Sequence, residues 1–432
     1  MISSWGKYPV IDAELISPVH AEQLVTMLKA GQFHGVARGM GRSYGDSALA
    51  AQLISLKHLN YFQDFNADTG VLRCGAGVTL AEILETFVPK GWFLPVTPGT
   101  KFVSVGGAIG SDVHGKNHHL HGCFSDHIER LSLLVASGEI IELSLASHPE
   151  LFKATCGGMG LTGVILDASI RLMPIKSAYM SQRTIKAGNL REAMDILDEH
   201  SNATYSVAWI DCVSQGASMG RSLVSLGEHL AYGELDLKAK GKLAVPVDMP
   251  GLLLNPLTVQ AFNILYYHRV LQKDSQQRVH YDPHFYPLDG IHDWNRLYGK
   301  NGFLQYQLVL PKSAGYDGMK KVLEKISASR KGSFLAVLKL SGAHNGNYLS
   351  FPIEGYSLAL DFKVEPDIFP LLDTLDDIVH DLGGRVYLTK DARLSEQGFK
   401  RSYPQWQQFM RVRQEYGADQ VFNSLQSRRL GL

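Results

Sequence analysis

Residues 36–47, VARGMGRSYGDS, crowd three glycines, two arginines, two serines, a tyrosine and an aspartate into one short run. Such a run propagates neither helix nor strand. It predicts a loop leaving a strand, with backbone that turns sharply and lies close to what it binds. Gly39, Gly41 and Gly45 supply the turns, while Arg38, Arg42 and a row of free N–H groups suit an anion such as a diphosphate. A second reading stands beside the first. Gly41-Arg42-Ser43-Tyr44-Gly45 matches the G-x-S-x-G elbow that presents the nucleophile of a serine hydrolase.

Two more glycine loops follow. Residues 98–122, PGTKFVSVGGAIGSDVHGKNHHLHG, are too long and too glycine-rich for a plain connection and predict a functional loop. Residues 156–163, CGGMGLTG, contain the dinucleotide fingerprint G-x-G-x-x-G, but VILDASIRL follows with a strand pattern where a Rossmann site needs a helix. Around these loops the pattern predicts a helix over 18–31, strands at 34–37 and 53–56, a hairpin from 61–65 and 71–74, and a helix begun by Thr79 and closed by Gly91. A second hairpin over 128–144, a helical turn at 150–154 and a strand at 164–172 complete this half. Three glycine loops in one strand-rich half imply one extended ligand. Nothing later resembles the oxyanion motif that the hydrolase reading needs. His114, His118, His119 and His121 crowd beside Asp112, Cys123 and Asp126, yet their spacing fits no helical ligand face, so the expectation is a ligand-facing His114 and no metal.

From residue 175 the texture changes to longer alternating runs with more aromatic residues, as in a second domain. Runs at 206–210, 303–310, 333–339 and 357–362, a helix over 367–382 and a short strand at 385–388 predict an antiparallel sheet backed by helices, so the fold class is α+β. A length of 432 residues accommodates two large domains. The formal net charge is zero, which excludes the basic surplus of a nucleic-acid binder. Cys74, Cys123, Cys156 and Cys212 lie far apart, which argues against a disulfide scaffold and fits a cytoplasmic setting, as does an N-terminus without a secretory pattern. The most apolar stretch, 245–270, is interrupted by Pro246, Asp248, Pro250, Asn255, Pro256, Gln260 and Asn263, which is wrong for a membrane span. It predicts either a mobile lid over a greasy ligand or at a membrane surface, or a plain buried helix. Lys339 in FLAVLKL and Lys390 after YLT suit either an inward or an outward lysine.

Taken together, RGMGRSYGDS, GAGVTLAEI, PGTKFVSVGGAIGSDVHGKNHH and GGMGLTGVI resemble the FAD-binding domain of the vanillyl-alcohol oxidase, or PCMH, type. WNRLYG, GFLQYQ, FPIEGYSLALDF, GGRVYLTKDAR and VFNSLQSRRL extend the likeness over nearly the whole chain, to the oxidases of decaprenylphosphoryl-ribose type within that superfamily. The resemblance implies a two-subdomain FAD-binding domain over 1–178, completed by 385–432, and a substrate-binding cap domain over 179–384. It implies that Arg38, Gly39, Met40, Gly41, Arg42, Ser43, Tyr44, Gly45, Asp46 and Ser47 hold the FAD diphosphate. Gly99, Ser104, Val105, Gly106, Gly107, Ser111, Asp112, Val113, His114 and Gly115 would run along the ribityl chain and ring, with Ile165 and Tyr387 completing the pocket. Many relatives tether FAD through a histidine where this chain has Arg42, which implies non-covalent FAD.

The implied reaction oxidises the 2′-hydroxyl of a polyprenyl-phospho-pentose to a 2′-keto sugar, the first half of a 2′-epimerisation that makes an arabinose donor for cell wall biosynthesis. Tyr286, Gln305, Gln307, Lys339, Ser357 and Ala359 match positions that face the substrate. Ala359 stands where mycobacterial members have cysteine and Ser357 where they have asparagine, which alters the sugar pocket. Lys390 is the implied cation for charge developing on the flavin, with Tyr44 and His114 orienting the ring. The implied partners are the lipid-linked sugar phosphate, an NAD(P)H-dependent short-chain reductase, a quinone or oxygen as electron acceptor, and the inner face of a membrane as a peripheral contact. The alternative within the superfamily is a soluble alditol or aldonolactone oxidase.

Overall fold

The first glycine loop leaves a small parallel sheet. In the computed structural model, which describes residues 1–237 and 243–432, the strands Glu14–Ile16, Gln52–Ser55 and Gly35–Arg38 pair side by side and in parallel. Val36, Leu53 and Ile54 are fully buried, so this sheet is fixed by packing and the loop starts from a rigid point.

Beside it lies a five-stranded antiparallel sheet in the order Ile140–Leu143, Ile128–Leu134, Val164–Arg171, Val71–Gly75, Phe62–Asn66. Both predicted hairpins are present, one at each edge. Thr79 begins the helix Leu80–Phe87 through a capping box, its hydroxyl accepting from Glu82 N at 3.2 Å while the Glu82 carboxylate accepts from Thr79 N at 2.7 Å. Gly91 ends the turn that follows at φ 81°, a conformation that suits glycine. The second glycine loop corrects an expectation, since Val105–Gly110 and His118–His121 within it are helical. VGGAIG carries too many small residues to announce itself as a helix. Ser104 nevertheless caps it, accepting from Gly107 N at 3.3 Å.

Apart from three short two-stranded pairings, the other described strands form one antiparallel sheet of eight, in the order Asp274–His280, Tyr179–Ala187, Ser222–His229, Tyr205–Ile210, Ala336–Ser341, Gly355–Lys363, Phe303–Pro311, Arg385–Val386. Helices Leu190–Glu199, Gly315–Ser329 and Ile368–Asp381 cover one face. Alternation along Phe303–Pro311 assigns the faces. Leu304, Tyr306, Leu308 and Leu310 are buried towards the helices, and Tyr306 Oη donates to Asp376 Oδ1 at 2.9 Å. Gln305 and Gln307 therefore look the other way, towards the glycine loops. The strand expected at 333–339 begins later, at Ala336, because Ser333 turns the chain by accepting from Leu335 N at 3.1 Å.

The segment expected as a lid or a buried helix contains the helix Pro256–His268. It is buried on one face only: Val259 and Asn263 are covered, while Leu257 is 76% and Leu265 72% exposed. Among the described residues no helix is long and apolar enough to cross a membrane.

After Val386 the chain returns to the N-terminal half. The buried Arg413 guanidinium donates to the Leu161 carbonyl at 3.0 Å and the Phe422 carbonyl at 2.7 Å. Arg429 bridges Asp46 and Asp391, each at 2.8 Å, and so ties the last helix to the first glycine loop.

Candidate active site

The first loop is held from outside. Gly45 lies so close to the Asp391 carbonyl that a side chain has no room, and Tyr44 N donates to Thr389 O at 3.0 Å. Trp5 N donates to Ser43 O at 2.9 Å and Phe303 N to Gly6 O at 2.8 Å, so the N-terminal residues strap the loop to the start of the glutamine-bearing strand. Arg38 is spent on backbone carbonyls at the loop's margins, donating to the Ser3 carbonyl at 2.7 Å and the Ala48 carbonyl at 3.0 Å, and Asp46 pairs with Arg429. Ser47 is buried and Met40 exposed. Arg42 differs: its guanidinium lies 4.0 Å from the Trp5 ring centroid, and no carboxylate of the described residues forms an ion pair with it. The backbone N–H groups of Met40, Gly41, Arg42 and Ser43 find no acceptor among the described residues, and the buried Ser43 hydroxyl has no partner.

The second loop approaches the first at Ser104, whose hydroxyl a side chain on Gly39 would strike. Gly106 packs on Ala76, with only 3.0 Å for an added Cβ, while a Cβ on Gly99 would meet nothing within 4 Å. Val105 and Val113 are core residues, and Gly115 sits against Thr97 and Asn117. Asp112, with no exposure and φ 41°, accepts from Asn345 Nδ2 at 2.9 Å, Asn347 Nδ2 at 3.0 Å and Ser350 Oγ at 2.6 Å, locking the loop to the 342–350 connection. Tyr387 Oη donates to Ser111 O at 2.8 Å, and its ring stacks on Phe351 with centroids 4.7 Å apart. Ile165 lies in the core of the five-stranded sheet, and Tyr286 Oη is bonded to Thr97 Oγ1 at 2.6 Å.

Across from the loops, direct antiparallel partners place Gln305 opposite Asp361, Gln307 opposite Ala359, and Lys339 opposite Ser357 on one face. Gln305 Nε2 donates to Asp361 Oδ1 at 2.6 Å. Gln307 Nε2 lies 3.4 Å from Ser357 Oγ and 3.0 Å from His114 Nε2. With the amide as donor, His114 carries its proton on Nδ1, which is buried without an acceptor. Lys390 Nζ stands 3.8 Å from the Tyr44 ring centroid.

Desolvation governs the charges here. Burial lowers Lys390 to about 7, opposed by Asp361 and helped by Lys339, and lowers Lys339 to about 8. Burial holds His114 well below the usual histidine range, with Lys339 next in effect, so it is neutral. It raises Asp361 to about 7 and Tyr44 well above the usual phenol range. The structure thus brings Tyr44, His114, Gln305, Gln307, Lys339, Ser357, Ala359 and Lys390 to one place, and adds residues that the sequence did not single out. Asp361 had a signal, since it falls two residues after Ala359 in a strand and so shares its face. Lys116 had none. Burial lowers its pKa to about 7, and its ammonium donates to the His284 carbonyl.

The donors fit FAD. Unpartnered N–H groups and the orphaned Ser43 hydroxyl suit a diphosphate, and open space at Gly99 with the orphaned His114 Nδ1 continues that path to the glutamine face. The hydrolase reading does not survive, because Ser43 Oγ contacts no base and no helix follows Gly45.

Residues 13–144 match the family model described as an FAD binding domain. The chain is 36% identical to decaprenylphosphoryl-beta-D-ribose oxidase of Mycolicibacterium smegmatis, over 100% of this chain and 97% of that one. It is 31% identical to an uncharacterized protein in the mprA 5′ region of Streptomyces coelicolor, over 82% of this chain and 100% of that one. D-arabinono-1,4-lactone oxidase of Candida glabrata stands further off, at 27% identity over 42% of this chain and 36% of that one. The chain therefore belongs to the decaprenylphosphoryl-β-D-ribose oxidase family of FAD-dependent alcohol oxidoreductases.

Proposed function

We propose that the protein oxidises the 2′-hydroxyl of a polyprenyl-phospho-pentose to the 2′-keto sugar. The observation that carries this reading is the single sheet face on which Gln305, Gln307 and Lys339 stand opposite the glycine loops, in a chain aligned from end to end with an oxidase of decaprenylphosphoryl-ribose. The FAD-binding unit is residues 1–178 with 385–432, and the cap is 179–384. FAD, held without a covalent bond by the first and second loops, supplies hydride acceptance.

The chain's own residues do the rest. Lys390 supplies a positive charge beside the glutamine face, and the Tyr44 ring holds its ammonium in place. Neutral His114, fixed by Gln307, orients what binds beside it. Lys339 with Gln305 and Gln307 grips the pentose phosphate, and Ser357 and Ala359 leave a smaller lining than the asparagine and cysteine of mycobacterial members.

The product is a ketone, and an NAD(P)H-dependent short-chain reductase acting on it completes an epimerisation. A quinone or oxygen takes the electrons. Helix Pro256–His268 exposes Leu257 and Leu265, with Leu271 at 91% and Arg269 beyond, and this surface rests on the inner face of the membrane. Borodeuteride reduction of the product tests the reaction: deuterium at C2′ is expected, and deuterium at any other carbon overturns the assignment.

A further inference from the structure

Helix Pro256–His268 rides on one aromatic ring of the large sheet and one from the turn that leads into it. Tyr266 lies 4.7 Å from Trp209 and Phe262 lies 5.6 Å from Phe334, centroid to centroid. Asn263 anchors it, donating to Asp211 Oδ1 at 2.9 Å. The ladder puts Trp209 opposite Val337, Val337 opposite Ala359 and Ala359 opposite Gln307, so all four share the face of the active site. The helix therefore roofs one margin of that face.

Beneath the roof lies a cavity of about 450 Å³. That volume is within the range of ligand pockets, about 300–1,000 Å³. Leu254, Val259, Phe334 and Ile368 supply apolar lining, Asp361 and Tyr298 line the cavity on the side of the glutamines, and Lys331, Glu365 and Lys363, paired with one another, also border it. Tyr298 Oη donates to Asp361 Oδ2 at 3.4 Å, and Asp361 holds Gln305. The cavity thus runs from the polar cluster to the helix whose outer surface exposes Leu257 and Leu265. A polar head at the glutamines and an apolar chain along Phe334 and Val259 would each meet a surface of matching chemistry.

We propose that this cavity is the binding site for the proximal part of the substrate's polyprenyl chain, which enters from the exposed side of the helix. The inference rests on the oxidase reading above. It also goes further, because it makes chain recognition a property of residues that touch neither sugar nor flavin.

The test uses the holoenzyme and two phosphoryl-riboses that differ only in the chain, one polyprenyl and one methyl. Wild type should favour the polyprenyl compound in kcat/KM. Val259→Phe and Leu254→Trp, each filling the cavity from a different element, should each cut that preference about tenfold, the scale of one or two lost methylene contacts. Absorbance of bound FAD shows that each variant is folded. A preference unchanged in both FAD-loaded variants overturns the inference, as does a wild type equally active on both compounds, a result that leaves the oxidase reading standing. A wild type that oxidises neither compound overturns both.

Discussion

Lys390 is subject to two opposed effects. Burial favours its neutral amine, while the Asp361 carboxylate favours the ammonium, and the result is a lysine near 7. The ammonium form predominates below that pH and is lost as the pH rises through it. Flavin reduction in stopped flow is therefore expected to slow above about pH 7. Lys390→Met should lower the rate about tenfold or more, the equivalent of one charge-assisted hydrogen bond, and should abolish this alkaline limb. Persistence of the same limb in the variant would contradict the assignment. Asp361→Asn removes the charge that props up the ammonium, so in the same experiment the limb should move to lower pH. These residues were unevenly legible. Lys339, Gln305 and Gln307 occupied strand positions whose alternation could be read, but only the register across three strands shows that they share a face with Asp361.

Elements, rather than single side chains, position the first loop. Its own sequence announced glycines and an anion nest, yet the supports come from Ser3, Trp5 and Gly6 near the N-terminus and from 389–391. Contacts between positions so far apart in the chain leave no local pattern to read. Arg429 is the pivot, pairing with Asp46 and Asp391, whose side chains are only 6% and 2% exposed. Replacing it with methionine strands two buried carboxylates and should cost about 3 kcal/mol. Denaturant unfolding measures the loss, and a change within error would show that the pairs contribute nothing. The helix Val105–Gly110 was hidden for a different reason, since its glycines erase the apolar period on which helix reading depends.

At the scale of the whole molecule, the α+β class was readable because the second half alternates with period two while the first half is punctuated by glycine. The edge strand Asp274–His280, DSQQRVH, has only one apolar residue and gave no such signal. Its order comes from pairing with Tyr179–Ala187. Arg42, within the first glycine loop and stacked on Trp5, offers no nucleophile to a flavin ring. Acid precipitation of the yellow protein should therefore release all of its FAD into the supernatant, and colour retained in the pellet would mean a covalent link. The central claim joins that flavin to a lipid-linked pentose. Its most direct measurement is anaerobic mixing of the purified protein with polyprenyl-phosphoryl-ribose while the visible flavin band is followed. Bleaching of the band in a single turnover, with a product lighter by two hydrogens, is the predicted result. A band that stays unbleached with this compound but bleaches with a free aldonolactone would contradict the account.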